Sequence, residues 1–177
     1  MNCNRTFVAA GLIIFTAFLR NSASAGEKLD DATILAIFDQ ANSVDIFTGR
    51  LGAKYGHSAA VRALGKMVAN DHVAVQQMGR DLAKKLDILP TPPDNDSSVS
   101  EQTKTVALLQ SKSGPEFDQA YLRHEMVFHQ SVIDAVKGTL LPAISNNEFR
   151  SLVVKVLPGF EHHLAETKTV AKGLGVK

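Results

Sequence analysis

Between Asp31 and Lys172, apolar residues recur every three or four positions in four long stretches. Nowhere do they alternate as a half-buried strand would. The first stretch predicts a helix from about Asp31 to Tyr55, with Asp30 or Asp31 as N-cap. The second runs from about Ser58 to Leu86, where Ser58 can cap and Val61, Leu64, Val68, Val75, Leu82 and Leu86 form a stripe. The proline-rich segment "LPTPPDNDSSVS" (89–100) breaks the pattern, and a short helix from about Glu101 to Ser111 follows. The third long helix has Ser113 as cap and Pro115 in its first turn, and continues to about Gly138. After a turn in "LLPAISNNEF", the fourth runs from about Asn147 to Lys172.

The connectors give the expected architecture. The first and second helices are joined by a few residues, as antiparallel neighbours are, and the third and fourth nearly so. Between the second and third lie about 27 residues, and a long helix of that size spans roughly 40 Å, so this connector can travel the length of a bundle. Short, long, short is the linkage of an all-α, ferritin-like four-helix bundle with one crossover that contains a short helix.

Each long helix also carries ionisable residues in its apolar stripe, at 100° per residue. In the second helix, Asp71 and His72 straddle the centre of the stripe. In the third, Asp118, Glu125 and His129 share the face of Leu122, Phe128, Val132, Ile133 and Val136, whereas His124 points elsewhere. In the fourth, His163 lies among Phe149, Val156 and Phe160 while His162 points outward. In the first, Asp45 shares a face with Ile34, Phe38, Ala41 and Gly52. Buried charges without partners cost several kcal/mol, so such groups pair, shift their pKa values or bind something. Imidazoles and carboxylates converging from four helices suit a first-row transition ion such as zinc, iron, manganese or copper. The expected ligands are His72, His129 and His163, helped by Asp45, Glu125 or Asp118. Asp71 and Tyr121 stand as outer partners of those ligands. The competing account is a hydrogen-bonded polar layer that fixes helix register without metal.

Composition narrows the picture. The first residues place Arg5 before an apolar run from Phe7 to Leu19, then Ala23-Ser24-Ala25, the pattern of a cleaved secretory signal. Residues 1–25 are therefore expected to be a signal peptide and residues 26–177 one exported, periplasmic or secreted domain. Cleavage would remove the only cysteine and leave 17 basic against 18 acidic residues, a formal charge of −1. A near-neutral domain without cysteine offers no thiol chemistry, no disulfide framework and no basic face for nucleic acid. It contains no G-x-S-x-G elbow, phosphate-binding glycine loop or H-E-x-x-H helix, so no reaction can be assigned from motifs. It is not expected to span the membrane. Its partner is expected to be an envelope protein, bound through the 89–100 loop and exposed faces, or a second copy of the chain.

Three segments, "KMVANDHVAV", "FDQAYLRHEMVFHQSVI" and "VLPGFEHHLAET", resemble in order the signatures of a bacterial family of secreted, ferritin-like proteins of unknown function. That family carries a DH dipeptide, an "FD..Y......H" helix and an "LP....HL" helix. The resemblance transfers Asp71, His72, Phe117, Asp118, Tyr121, His129, Pro158, His163 and Leu164, and implies an exported helical bundle with an internal polar site. In the first helix this sequence departs from the family, offering Asp45 and then Phe47 where members often place longer acids. It also lacks the E-x-x-H pairs of ferritin-like di-iron centres, which argues against an iron-storage cage. Pro158 is expected to kink the fourth helix just before His163.

Overall fold

The computed structural model describes residues 29–176, so the expected signal peptide lies outside the described residues. Among the described residues the chain is all-helical: α1 (Asp31–Tyr55), α2 (Ala59–Lys85), α3 (Ser98–Gln110), α4 (Gly114–Ala135) and α6 (Asn147–Gly173). Between α4 and α6 lie a π-helical turn, Val136–Leu140, and the one-turn α5, Leu141–Ala143. No helix among the described residues is long and apolar enough to cross a membrane.

The helix starts follow local chemistry. Asp30 caps α1 by accepting from the Thr33 amide at 2.9 Å, and Ser58 caps α2 through the Val61 amide at 3.1 Å. Ser113 stands at the N-cap of α4 but makes no side-chain cap bond there. The crossover helix starts at Ser98, three residues before the expected Glu101, because the Asp96 carboxylate takes the Ser98 amide at 2.8 Å. The third helix does not simply fray near Gly138. It widens into the π turn and resumes through Ala143, which inserts an extra residue into the ladder. Helix α6 runs unbroken past Pro158.

Cross-links at the two ends fix the helix directions. Asp31, at the start of α1, accepts from the Ser145 and Asn146 amides, both at 2.8 Å, so α1 begins where α6 begins. The salt bridge from Lys85 to Glu148 places the end of α2 there too. At the other end Asp118, early in α4, accepts from the amides of His57 and Ser58 at 2.7 and 2.8 Å, in the turn joining α1 to α2. Helices α2 and α4 therefore run in the same direction, and α3 carries the chain back along the bundle between them.

Helices α1 and α2 approach closely through small residues. A Cβ on Gly65 would stand 2.5 Å from the backbone of Ala53 and Gly49, so only glycine fits that crossing. Gly52 likewise leaves room for the Tyr121 ring, which a Cβ there would meet at 2.5 Å.

The core is divided. One apolar cluster, with Ile34, Phe38, Phe128, Val132, Phe149 and Phe160, fills the end where α1 starts. A second, with Leu51, Val61, Val68, Phe117, Tyr121 and Leu122, fills the opposite end. Between them lies a layer of buried polar side chains from all four long helices: Asn42, Asp45 and Thr48 on α1, His72 on α2, Glu125 and His129 on α4, and His163 and Thr167 on α6.

Candidate metal centre

Asp45 lies at the centre of this layer and is 0 % exposed. Its Oδ2 stands 3.0 Å from His72 Nε2 and 3.2 Å from His129 Nε2. His163 Nδ1 adds a fourth corner, 3.3 Å from His72 Nε2. Four ligands held at roughly 2.0–2.1 Å around a tetrahedral ion stand about 3.3–3.4 Å from one another. The three spacings are close to that figure and account for three of the six edges of such a polyhedron.

Which nitrogen of each imidazole carries the proton follows from its partners. The Asn42 amide donates through Nδ2 to the Phe38 carbonyl at 2.7 Å, which turns its Oδ1 toward His72. His72 Nδ1 stands 2.9 Å from that oxygen and donates to it, leaving a lone pair on Nε2. His129 Nδ1 donates one turn back to the Glu125 carbonyl at 3.1 Å, leaving a lone pair on its Nε2. His163 Nε2 donates to Asp71 Oδ2 at 3.0 Å, leaving a lone pair on Nδ1. Each ring thus spends its N–H on an acceptor outside the cluster and presents a basic nitrogen to the inside, the arrangement that orients metal-bound histidine.

Electrostatics point the same way. Burial lowers the pKa of His129, with Asp45 opposing the shift. Burial also lowers His163 to about 4, against the pull of Asp71. Burial alone would raise Asp45, but the imidazoles of His129 and His72 outweigh it and hold the carboxyl well below the usual carboxylate range. That pull comes from the rings in their charged form, so a proton shared with His72 or His129 and a bound cation are alternative ways of balancing the buried Asp45 charge. Neither Asp45 oxygen nor His129 Nε2 has a partner in hydrogen-bond geometry. Buried polar atoms are normally satisfied, so several orphans gathered at one point call for a shared proton, a buried water or an ion.

On the α4 side, the Glu125 carboxyl, also 0 % exposed, neighbours Asp45, Thr48 and Tyr121. Burial and then the Asp45 charge push Glu125 well above its ordinary range. Burial, Glu125 and Asp45 do the same to the Tyr121 phenol. Two groups of donor atoms, His72–His129–His163 and Asp45–Glu125–His129, each lie within 4.8 Å of one another and can hold a metal ion. A space of about 20 Å³, enough for one water-sized molecule, opens on Asp45, His72 and His129; Phe38, Phe128, Val136, Leu140 and Phe160 wall it. Two of those walls, Val136 and Leu140, belong to the π turn.

Of the sequence-derived candidates, Asp45, His72, Glu125, His129 and His163 meet in this layer, with Asp71 and Tyr121 at its border. Asp118 does not. Both its oxygens accept backbone amides of the α1–α2 turn, about two helical turns before Glu125. His124 is half-buried beside Phe128 and belongs to neither donor group. Its Nε2 is enclosed without a partner, and burial lowers its pKa to about 4, against the pull of Asp45. Asn42 and Thr48 were missed. Their signal was present, because both lie three positions from Asp45 and so share its helix face.

No curated protein and no solved structure matches the chain. A family model does match, over residues 18–170, and the chain belongs to that family, described as a domain of unknown function, DUF4142.

Proposed function

We propose that this domain is an exported metal-binding protein that holds one transition-metal ion through His72 Nε2, His129 Nε2, His163 Nδ1 and Asp45 Oδ2. The observation that carries the reading is the gathering of three imidazole nitrogens beside a buried carboxylate, the other nitrogen of each ring facing an oxygen acceptor that assigns its N–H outward. Three imidazoles and one carboxylate suit zinc, copper, iron or manganese, with zinc and copper favoured by the nitrogen content. The ion would neutralise the charge of Asp45 and use the orphaned His129 nitrogen.

A polar layer that served only to fix helix register would pair its own donors with its own acceptors. Here Asp45 Oδ2 meets His72 Nε2 and His129 Nε2 only in ion-pair contact, and neither Asp45 oxygen nor His129 Nε2 completes a hydrogen bond, which favours a cation among them. The parallel run of α2 and α4 supports a ferritin-like bundle, although the ligands are not the two E-x-x-H pairs of di-iron centres. The apolar run from Phe7 to Leu19 followed by Ala23-Ser24-Ala25 supports export to the periplasm, with metal handling in the envelope as the role.

Protein purified from the periplasm, stripped with chelator and re-equilibrated with Zn2+ tests the reading. One tightly held ion per chain, lost in His163→Ala and retained in the exposed His162→Ala, is the expected result. Failure to bind zinc, copper, iron or manganese stoichiometrically would refute it.

A further inference from the structure

One imidazole-rich ion leaves half of the polar layer unexplained. With Asp45 Oδ2 committed to the imidazoles, Asp45 Oδ1 still has no partner, nor has either Glu125 oxygen or the Tyr121 hydroxyl, all of them buried. Two ionised carboxylates side by side in an apolar core repel, so Glu125 holds a proton there unless a cation takes its place. The Thr48 hydroxyl and the Tyr121 phenol lie beside Glu125 and favour its charged form, but Thr48 Oγ1 makes its geometric hydrogen bonds within its own helix, to the Val44 carbonyl at 3.1 Å and the Asp45 carbonyl at 3.4 Å. That leaves its oxygen lone pairs beside Glu125. Oxygen donors thus gather on the α4 side of Asp45, just as nitrogen donors gather on the α2 and α6 side.

We propose that the layer contains a second, chemically different cation position, formed by Asp45 Oδ1 and the Glu125 carboxylate with the Thr48 and Tyr121 hydroxyls, and selective for a hard divalent ion of the Mn2+ or Mg2+ type. This rests on the reading of the imidazole-rich position, with the Asp45 carboxylate shared between the two ions. Selectivity follows from ligand type: imidazole suits zinc and copper, whereas carboxylate and hydroxyl oxygens suit manganese and magnesium. His129 cannot serve both ions, since its Nδ1 is occupied by the Glu125 carbonyl and only Nε2 offers a lone pair. The second position is therefore all-oxygen. A shared carboxylate typically keeps two ions about 3.5–4 Å apart, so an ion bound at one position changes the spectroscopic signature of the other.

The test uses the whole protein loaded with one equivalent of Zn2+ and titrated with Mn2+, free Mn2+ being read from its six-line paramagnetic resonance signal. One Mn2+ per chain should disappear from solution without release of zinc. Glu125→Gln should weaken that uptake at least tenfold while zinc stays stoichiometric and the helical circular dichroism is unchanged. Tyr121→Phe, a smaller change, should weaken it less. Replacing Zn2+ by Cu2+ should give a Cu2+ signal broadened by the neighbouring Mn2+. Stoichiometric zinc with Mn2+ left free, as when a proton shared between Glu125 and Asp45 takes the place of the ion, overturns the second position alone. Mn2+ uptake indifferent to Glu125→Gln also overturns it. Failure to retain zinc overturns the imidazole-rich position and, with it, this one.

Discussion

His163 Nδ1 faces His72 Nε2 at 3.3 Å, and with both rings neutral each of these nitrogens presents a lone pair. Asp71 accepts from the far side of the first ring and Asn42 from the far side of the second, so neither ring has an N–H left for the other. Two lone pairs at that distance repel unless a proton or a metal ion lies between them. An imidazolium at His72 would relieve its contacts with His163 and Asp45 but leave the lone pair of His129 Nε2 facing the carboxylate. A cation satisfies all four atoms at once.

The outer acceptors should therefore set affinity without touching the ion. Asn42→Ala frees the His72 tautomer, and Asp71→Asn places a donor against His163 Nε2. Each is expected to lower zinc affinity by about 10–100-fold with the helical content unchanged. Competition with a chromophoric chelator measures this. Equal affinity in wild type and both variants would mean that ring orientation does not matter to binding.

Asp45→Asn should have opposite effects on the two forms of the protein. Without metal it removes a buried charge and supplies a side-chain donor to the facing nitrogens, so the thermal midpoint rises. With saturating zinc the variant should gain little further stability, whereas the wild type gains RT ln(1 + [L]/Kd), about 2.7 kcal/mol at a hundredfold excess over Kd. Differential scanning calorimetry of the four samples reads both signs. A lower midpoint for the metal-free variant would show that Asp45 is already paired.

Acid should destabilise the metal-free protein within a defined window. The folded-state pKa of His163 and of His124 is about 4, below the ordinary 6.5, so between those values the unfolded chain binds more protons than the folded one. Stability is then fully present above pH 6.5 and falls as the pH drops toward 4. Glu125, shifted the other way, is more readily protonated in the fold and partly offsets the loss. Urea midpoints across this range should decline with acidification, and bound zinc should be released over the same range because its ligands must be deprotonated. A midpoint independent of pH between 6.5 and 4 would contradict these environments.

The crossing of α1 and α2 sets the position of Asp45 relative to His72, and Gly65 sets the crossing. Gly65→Ala forces a methyl group to within 2.5 Å of the Ala53 and Gly49 backbones. It should cost about 1–3 kcal/mol and weaken zinc binding even though position 65 touches no ligand. Chemical denaturation and a zinc titration of the same sample check both effects.

Much of this was legible in the sequence because the apolar periodicity of four amphipathic helices is strong and their connectors differ so much in length. His72, His129 and His163 could be found because each interrupts an apolar stripe, and a buried imidazole is conspicuous there. Asp118 interrupts its stripe in the same way, yet it caps a turn at the bundle tip. Helix projection gives the angle about the axis but leaves the height loose, and a carboxylate that accepts two amides looks the same as one that meets an ion. The π turn carries no sequence signal beyond Gly138 inside an otherwise continuous pattern, since its extra residue is imposed by tertiary packing rather than local propensity.

The central claim is that three imidazole nitrogens share one ion, and X-ray absorption at the zinc edge of the one-equivalent zinc protein tests it most directly. The account predicts outer-shell scattering from three imidazole rings, with first-shell nitrogen and oxygen at roughly 2.0–2.1 Å in fourfold coordination. A spectrum of a six-coordinate, oxygen-only ion without imidazole scattering would contradict it.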